Sequence, residues 1–347
     1  MRSTLLLAFI LIGCAVPEDP ATSAVESAIG GCADNPALCS NSPAMLHYGM
    51  HELSLLGTPN GQRAFITPGA NGLPELRKNG QSYRLDVVNG MIIGRAASGS
   101  SLADEQTVGA EFSLVDAETK EALFDLRIET YRKSAYTIGP PGSLYLYRIS
   151  WHLPKEAPNS QQSACEPYVF PTYSKWDPLE GMQYGELLLF GGERVDAERK
   201  TLSPDGADTT GWITMACAGS ALAKLDLSGN TRHRQPSDWA GRQATLKLLV
   251  ADYCGTGLAF TKPGVPLVWR GPTTQYLGTP VGVEARWSKD GATCLRTPRL
   301  VAHPELSFEG VDIAAAIAQE CTIPVCMNGN VQELNGNPRI SANYFPP

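Results

Sequence analysis

The sequence predicts an α+β fold, mainly antiparallel β with a few short helices and braced by disulfides, and three observations carry that prediction. Apolar and polar residues alternate with period two in many short segments, separated by Gly, Asn and Asp turns. Few stretches space their apolar residues at three to four positions, as a helix requires. The chain holds nine cysteines in 347 residues, with no Cys-x-x-Cys pair and no Cys/His cluster at zinc-ligand spacing, which reads as a disulfide framework rather than a metal site.

Residues 1–13 have the form of an export signal, with Arg2 followed by the apolar run Leu5–Leu11. The run is too short for a membrane span, which needs ~20 apolar residues. Leu11-Ile12-Gly13-Cys14 resembles a bacterial lipobox, which makes Cys14 the expected acylated anchor. The competing reading is an ordinary signal peptide cut nearby, with Cys14 discarded. Residues 14–31 are small, polar and acidic, the composition of a lipidated tether. Residues 32–139 form an N-terminal, mainly-β region. Within it Leu46, Met50, Leu53 and Leu56 predict a helix over 43–56, stopped by Gly57. Ser82–Val88 and Met91–Arg95 flank Asn89-Gly90, a strong hairpin signal. Phe112–Val115 and Leu123–Tyr131 make a second hairpin around the polar turn Asp116–Glu121.

Ser143–Trp151 and Glu186–Phe190 extend the strand pattern. Gly211–Cys217 reads as a strand that runs into an alanine-rich helix over 218–225. From Ser237 to Cys254, Trp239, Gln243, Leu246, Leu249, Val250 and Tyr253 fall at helical spacing, with Pro236-Ser237-Asp238 as the start and Gly255 as the stop. Leu246, Leu248 and Val250 also alternate, so a strand is the alternative there. Strands return at Pro266–Arg270 and Val281–Trp287, and residues 301–347 form a C-terminal, cysteine-containing tail.

Setting Cys14 aside leaves Cys32, Cys39, Cys165, Cys217, Cys254, Cys294, Cys321 and Cys326, an even set for an oxidising compartment. Close spacing favours the loops Cys32–Cys39 and Cys321–Cys326. That leaves Cys254 to pair with Cys217 or Cys294. The formal net charge is −7, and the densest basic stretch is only Thr231-Arg232-His233-Arg234, so nucleic acid is not an expected partner.

Ala251-Asp252-Tyr253-Cys254-Gly255, the downstream Pro266-Leu267, and Glu284–Arg299 with Cys294 resemble the ADYC-domain family of secreted and lipoprotein-like proteins, chiefly of myxobacteria. Thr214–Cys217 and Ala221–Lys224 resemble it as well. The resemblance covers 140–300 as an α+β domain and implies no activity. It also implies that family members carry cysteines where this chain has Leu225 and Thr245. Their joint loss here is that of a disulfide, so 218–226 and 240–254 should be packed neighbours.

Several residues invite chemistry. Cys254 could be a nucleophile served by His303 and Asn328, or Asp252 and Glu284 could act as general acid and base of a secreted hydrolase of unknown substrate. In an oxidising compartment, however, Cys254 is better read as a disulfide half, and Asp252 and Tyr253 as groups that satisfy a helix end. His47 and His51, four apart on the expected helix, could ligate a metal, but the order is not His-Glu-x-x-His. Trp151, Trp176, Trp212, Trp239, Trp269 and Trp287 invite a glycan-binding reading, with core packing as the default. No metal or cofactor is expected. The sequence reads as a lipid-anchored envelope protein, a binding or structural module whose partner is an envelope protein or glycan.

Overall fold

A computed structural model describes residues 51–61, 63–135, 143–154, 162–165, 182, 185–261, 265, 267–270, 282–326 and 340–343. The first strands are β1 (Glu52–Ser54), β2 (Ala64–Ile66), β3 (Glu75–Lys78), β4 (Gln81–Val88), β5 (Met91–Arg95) and β6 (Ser101–Leu102). Then come β7 (Glu111–Asp116), β8 (Ala122–Ala135), β9 (Ser143–His152), β10 (Gln162–Ser163), β11 (Leu187–Gly191), β12 (Val195–Asp196), β13 (Thr201–Leu202) and β14 (Trp212–Cys217). All but β12 and β13 join one twelve-stranded sheet in the order β1-β14-β11-β9-β8-β7-β3-β4-β5-β6, with β10 on β9 and β2 on β7. Every pairing is antiparallel.

Both expected hairpins form. Asn89 and Gly90 take φ of 50° and 84°, as a tight turn with two left-handed residues requires, and Val88 faces Met91 across it. The tip of that hairpin reaches the far side of the sheet. A Cβ at Gly90 would lie 2.8 Å from the Leu189 carbonyl, and the Ile92 N–H donates to the Tyr147 hydroxyl at 2.8 Å. The sheet therefore curls over its own inner face, which buries Leu76, Leu85, Ile92, Phe112, Leu126, Ile128 and Tyr147. Period two then sorts the two faces. Leu187 and Leu189 point into the curl, whereas Leu188 and Phe190 point to a second core under the helices. At ~1.5–3 kcal/mol for each large apolar side chain buried, these two cores are the main favourable term in the fold.

The helices are α1 (Ala221–Leu227), α2 (Trp239–Val250), α3 (Arg299–Ala302) and α4 (Ile313–Glu320). The side chains of Ser220, Asp238 and Asp312 cap the amino ends of α1, α2 and α4. Residues 241–250 of α2 are all buried, polar ones included. A second sheet has the order β15-β18-β16-β17, from β15 (Val268–Arg270), β16 (Gly282–Ser288), β17 (Gly291–Leu295) and β18 (Ile340–Asn343). Among the described residues no helix is long and apolar enough to cross a membrane.

Several expectations need correction. Residues 43–50 lie outside the described residues, and 52–54 form strand β1 rather than the end of a helix. Their partners are Thr214, Ile213 and Trp212, and that distant pairing overrides the local three-to-four spacing. Strands β8 and β9, on either side of residue 139, pair over ten registered positions. Helix α2 ends not at Gly255 but at Ala251, which takes the left-handed conformation with φ 54° and ψ 40°. Gly255 has φ +73° for another reason, since a Cβ there would lie 2.1 Å from the Asp290 carbonyl oxygen. Gly255→Ala should therefore lose at least ~2 kcal/mol, left-handed strain plus a displaced backbone. Gly310→Ala, at φ +72° with no atom within 4 Å, should lose only ~1 kcal/mol. Denaturant unfolding of the two variants checks the difference.

Candidate functional site

The motif Ala251–Gly255 sits where α2 ends, and each of its side chains meets a different part of the molecule. Ala251 turns the chain back, and its carbonyl accepts the Phe260 N–H. Asp252 is 0% exposed and accepts two hydrogen bonds on Oδ2, from Lys247 Nζ at 2.5 Å and from the Gly257 N–H at 2.9 Å. Lys247 also donates to the Arg199 carbonyl at 2.8 Å and the Gly255 carbonyl at 3.4 Å, so all three ammonium protons have acceptors. Arg199 lies in the loop of the β12–β13 hairpin. Gln243, one turn earlier on α2, accepts the Leu202 N–H at 2.7 Å and donates to the Lys200 carbonyl at 2.9 Å. The hairpin is thus fastened to the helix by side-chain bonds to its backbone. Burial lowers the pKa of Lys200, against the pull of the Asp252 carboxylate.

Tyr253 lies on the other side. Its ring stacks on Trp287 at 5.3 Å and tilts against Phe260 at 5.9 Å. Its hydroxyl donates to Glu284 Oε1 at 2.5 Å and accepts the Arg299 N–H at 3.1 Å. Burial, and then the Glu284 carboxylate, pushes the phenol well above its usual range. Arg299 Nε donates to Glu284 Oε1 at 2.8 Å, while its terminal nitrogens donate to the Leu248 and Leu249 carbonyls at 2.8 and 3.4 Å. These are among the last carbonyls of α2, where the negative end of its dipole lies, and that of Leu248 also accepts the Ala251 N–H at 3.2 Å. A third buried ion group holds the front of the helix. Arg242, 0% exposed, meets Glu193 at 3.1 Å, Asp205 at 3.0 Å and the Gln235 carbonyl. Burial pushes the Glu193 carboxyl up, against the pull of Arg242.

Three disulfides occur among the described residues: Cys165–Cys217, Cys254–Cys321 and Cys294–Cys326. The expected partners of Cys254, Cys217 and Cys294, are both taken by other cysteines. The expected Cys321–Cys326 loop is replaced by two longer ones, because Cys321 ends α4 beside the motif while Cys326 follows Val325 along β17. Cys14, Cys32 and Cys39 lie outside the described residues. The bridges place the folded domain in an oxidising, extracytoplasmic environment.

The arrangement brings Asp252 and Glu284 close to the same helix end without joining them as an acid–base pair. Each is 0% exposed and each already holds its own cation. Cys254 is oxidised and is not a nucleophile. His303 is buried, with Nδ1 3.3 Å from Glu305, and Asn328 lies outside the described residues. His47 does too, and His51 is a buried turn residue whose Nε2 lies 3.0 Å from the Val195 carbonyl. Among the described residues no group of three or more His, Cys, Asp or Glu could hold a metal ion. Trp176 is outside the described residues. Of the other tryptophans, Trp212, Trp269 and Trp287 are buried, while Trp151 and Trp239 are half-buried and do not pair with each other. An open cleft of about 570 Å³ lies between β1 and the β12–β13 hairpin. In its wall Glu52 binds Arg194 at 2.6 Å, and Arg194 lies 3.9 Å over the Trp212 ring.

Sequence reasoning placed Gln243 on the helical stripe and Arg299 in the family segment but gave no role to either, nor to Lys247 and Arg242, which together carry the ionic and polar contacts of α2. The available signal was an abundance of long polar side chains on a helix flanked by apolar strands. Helices α1 and α2 do pack together, and Leu225 and Thr245 are both 0% exposed, joined through Asn230.

A family model described as the ADYC domain matches residues 104–301. No curated protein and no solved structure matches the chain. The matched segment contains the motif, but the partners of Cys254 and Cys294 lie beyond it, as do β1–β6 and β18.

Two outcomes are expected. Lys247→Met, which strands the Asp252 carboxylate, should cost ~3–5 kcal/mol in denaturant unfolding, and adding Asp252→Asn should recover part of the loss. Cys254→Ser should cost ~2–5 kcal/mol, and alkylation of the denatured, unreduced wild-type protein should leave Cys254 unlabelled.

Proposed function

The chain belongs to the ADYC-domain family, and on that premise we propose that it is a lipid-anchored envelope protein whose domain is a non-enzymatic binding or structural module. The observation that carries this reading is the internal use of the motif. Asp252 pairs through Oδ2 with Lys247, Tyr253 bonds Glu284 and Cys254 is bridged to Cys321, and none presents a reactive group to solvent. A site with work to do on a substrate keeps a nucleophile or a titrating group within its reach. The motif instead fixes the frame on which the outer surfaces stand, and the cleft beside Glu52 and Arg194 is one such surface. Acylation at Cys14 supplies the anchor in this reading, since several acyl chains bind a membrane firmly where one is marginal.

Mass spectrometry of the mature amino terminus should find a lipid-modified Cys14, and Cys14→Ala should move the protein from the detergent-requiring to the soluble fraction. An unmodified terminus elsewhere in the chain, with labelled palmitate left unincorporated, would sink the anchor. Retrieval of a discrete envelope protein or glycan on the cross-linked wild type, lost when the domain is reduced, supports the binding role. Turnover of an envelope substrate that stops on Asp252→Asn in a still-folded protein would overturn it.

A further inference from the structure

Lys247 and Asp252 bring an amine and a carboxyl together away from water. Their side chains are 1% and 0% exposed, and Nζ lies 2.5 Å from Oδ2. Cγ is one C–O bond further on, so Nζ is at most ~3.7 Å from it, close to the ~3–3.5 Å of a near-attack geometry. The main chain fixes this approach. Ala251 takes the left-handed conformation, and the Asp252 N–H donates back to the Lys247 carbonyl at 3.0 Å. The two oxygens of Asp252 differ. Oδ2 accepts the Gly257 N–H at 2.9 Å as well as Lys247, whereas Oδ1 is buried and has no hydrogen-bond partner among the described residues. The Gly257 donor is held in place by close packing, since a Cβ there would lie 2.3 Å from the Glu198 carbonyl oxygen.

We infer that Lys247 and Asp252 are a self-modifying pair, which condenses in the folded protein to an intramolecular isopeptide bond between Nζ and Cγ. The ammonium gives one proton to the carboxylate. Nζ then attacks Cγ, and the negative charge that develops on Oδ2 is met by the Gly257 N–H. The bond from Cγ to Oδ1 breaks, and Oδ1 leaves as water with the first proton and a second from Nζ. The third proton stays on the amide nitrogen, and nothing is oxidised or reduced. The leaving atom is the oxygen whose departure breaks no hydrogen bond. The product also fits its surroundings. Oδ2 becomes the amide oxygen and keeps the Gly257 N–H, while the amide N–H keeps the Arg199 carbonyl at 2.8 Å and gives up only the 3.4 Å contact with Gly255. Two effects drive the step. A neutral amide replaces two buried charges that are costly to desolvate. Holding the reacting groups in contact is equivalent to an effective concentration of about 10⁵ M or more. The other two buried cations of α2 and its end, Arg242 and Arg299, are guanidinium groups, which stay charged and have no amine to acylate in this way. The bond would tie the last turn of α2 to the motif by a link that, unlike the neighbouring disulfides, no reductant opens.

Peptide masses of the purified full chain, reduced, alkylated and digested with trypsin, test this. An amide at Lys247 blocks cleavage there, and Pro263 protects Lys262, so residues 243–270 should appear as one peptide lighter than its sequence by one water. Fragmentation should yield no ions that separate Lys247 from Asp252. Lys247→Arg keeps the positive charge but cannot form the amide, and should give residues 248–270 at full mass. Wild-type protein that is cut after Lys247 into two peptides of full mass overturns the inference. Loss of one water with trypsin still cutting after Lys247 marks a succinimide at Asp252 and overturns it as well. If the variant fails to fold, the wild-type masses alone decide.

Discussion

The carboxyl end of α2 is the constraint on which the rest of the structure leans. A helix whose last ten residues are all buried cannot leave its final carbonyls to water, so the protein must bring donors to them. Arg299 does so, and a buried guanidinium in turn demands a carboxylate, which Glu284 provides from the second sheet. Tyr253 bridges the two. Lys247, five residues before Asp252, reaches out of the last turn of the helix to that carboxylate and to the loop of the β12–β13 hairpin. One helix terminus thus obliges a strand, a short helix, a hairpin and the motif itself to occupy fixed places.

The rigidity of that arrangement explains why the motif contains an ionisable side chain, a phenol and a cysteine without being reactive. A buried ion pair is expensive to assemble and stabilises little against an apolar equivalent, but it tolerates few alternative packings. Here three such groups line one helix and its turn: Arg242 with Glu193, Lys247 with Asp252 of the turn, and Arg299 of α3 with Glu284. The helix can therefore be seated in one rotation and one depth.

What could be read from the sequence was what depends on neighbours in the chain. The Asn89-Gly90 hairpin was legible because both residues favour the left-handed turn that joins β4 to β5. The start of α2 was legible at Asp238, whose side chain caps Gly241. Its end was not, because Ala251 takes a conformation normally left to glycine and is held there by the contacts of Asp252 and Phe260. Strand β1 was invisible for a similar reason, its partner lying some 160 residues away in β14. An even set of cysteines could be counted, yet their partners depend on where α4 and β17 come to lie. The long polar side chains of Lys247 and Arg299 could be seen in the sequence, but not their partners, since a lysine or arginine on a helix ordinarily faces water.

The bridges Cys254–Cys321 and Cys294–Cys326 interleave along the chain, whereas Cys165–Cys217 closes before either begins. In a polypeptide oxidised as it is threaded outward, Cys254 and Cys294 both emerge before either of their proper mates, Cys321 and Cys326. Rapid oxidation would join them to each other and leave Cys321 and Cys326 to close a small ring. A chain oxidised in that order reaches the native pairing only if thiol–disulfide exchange reopens the premature bond or oxidation waits until residues 313–326 have arrived. For such a chain the yield of native protein turns on the order of emergence and oxidation, a property that the finished fold no longer displays.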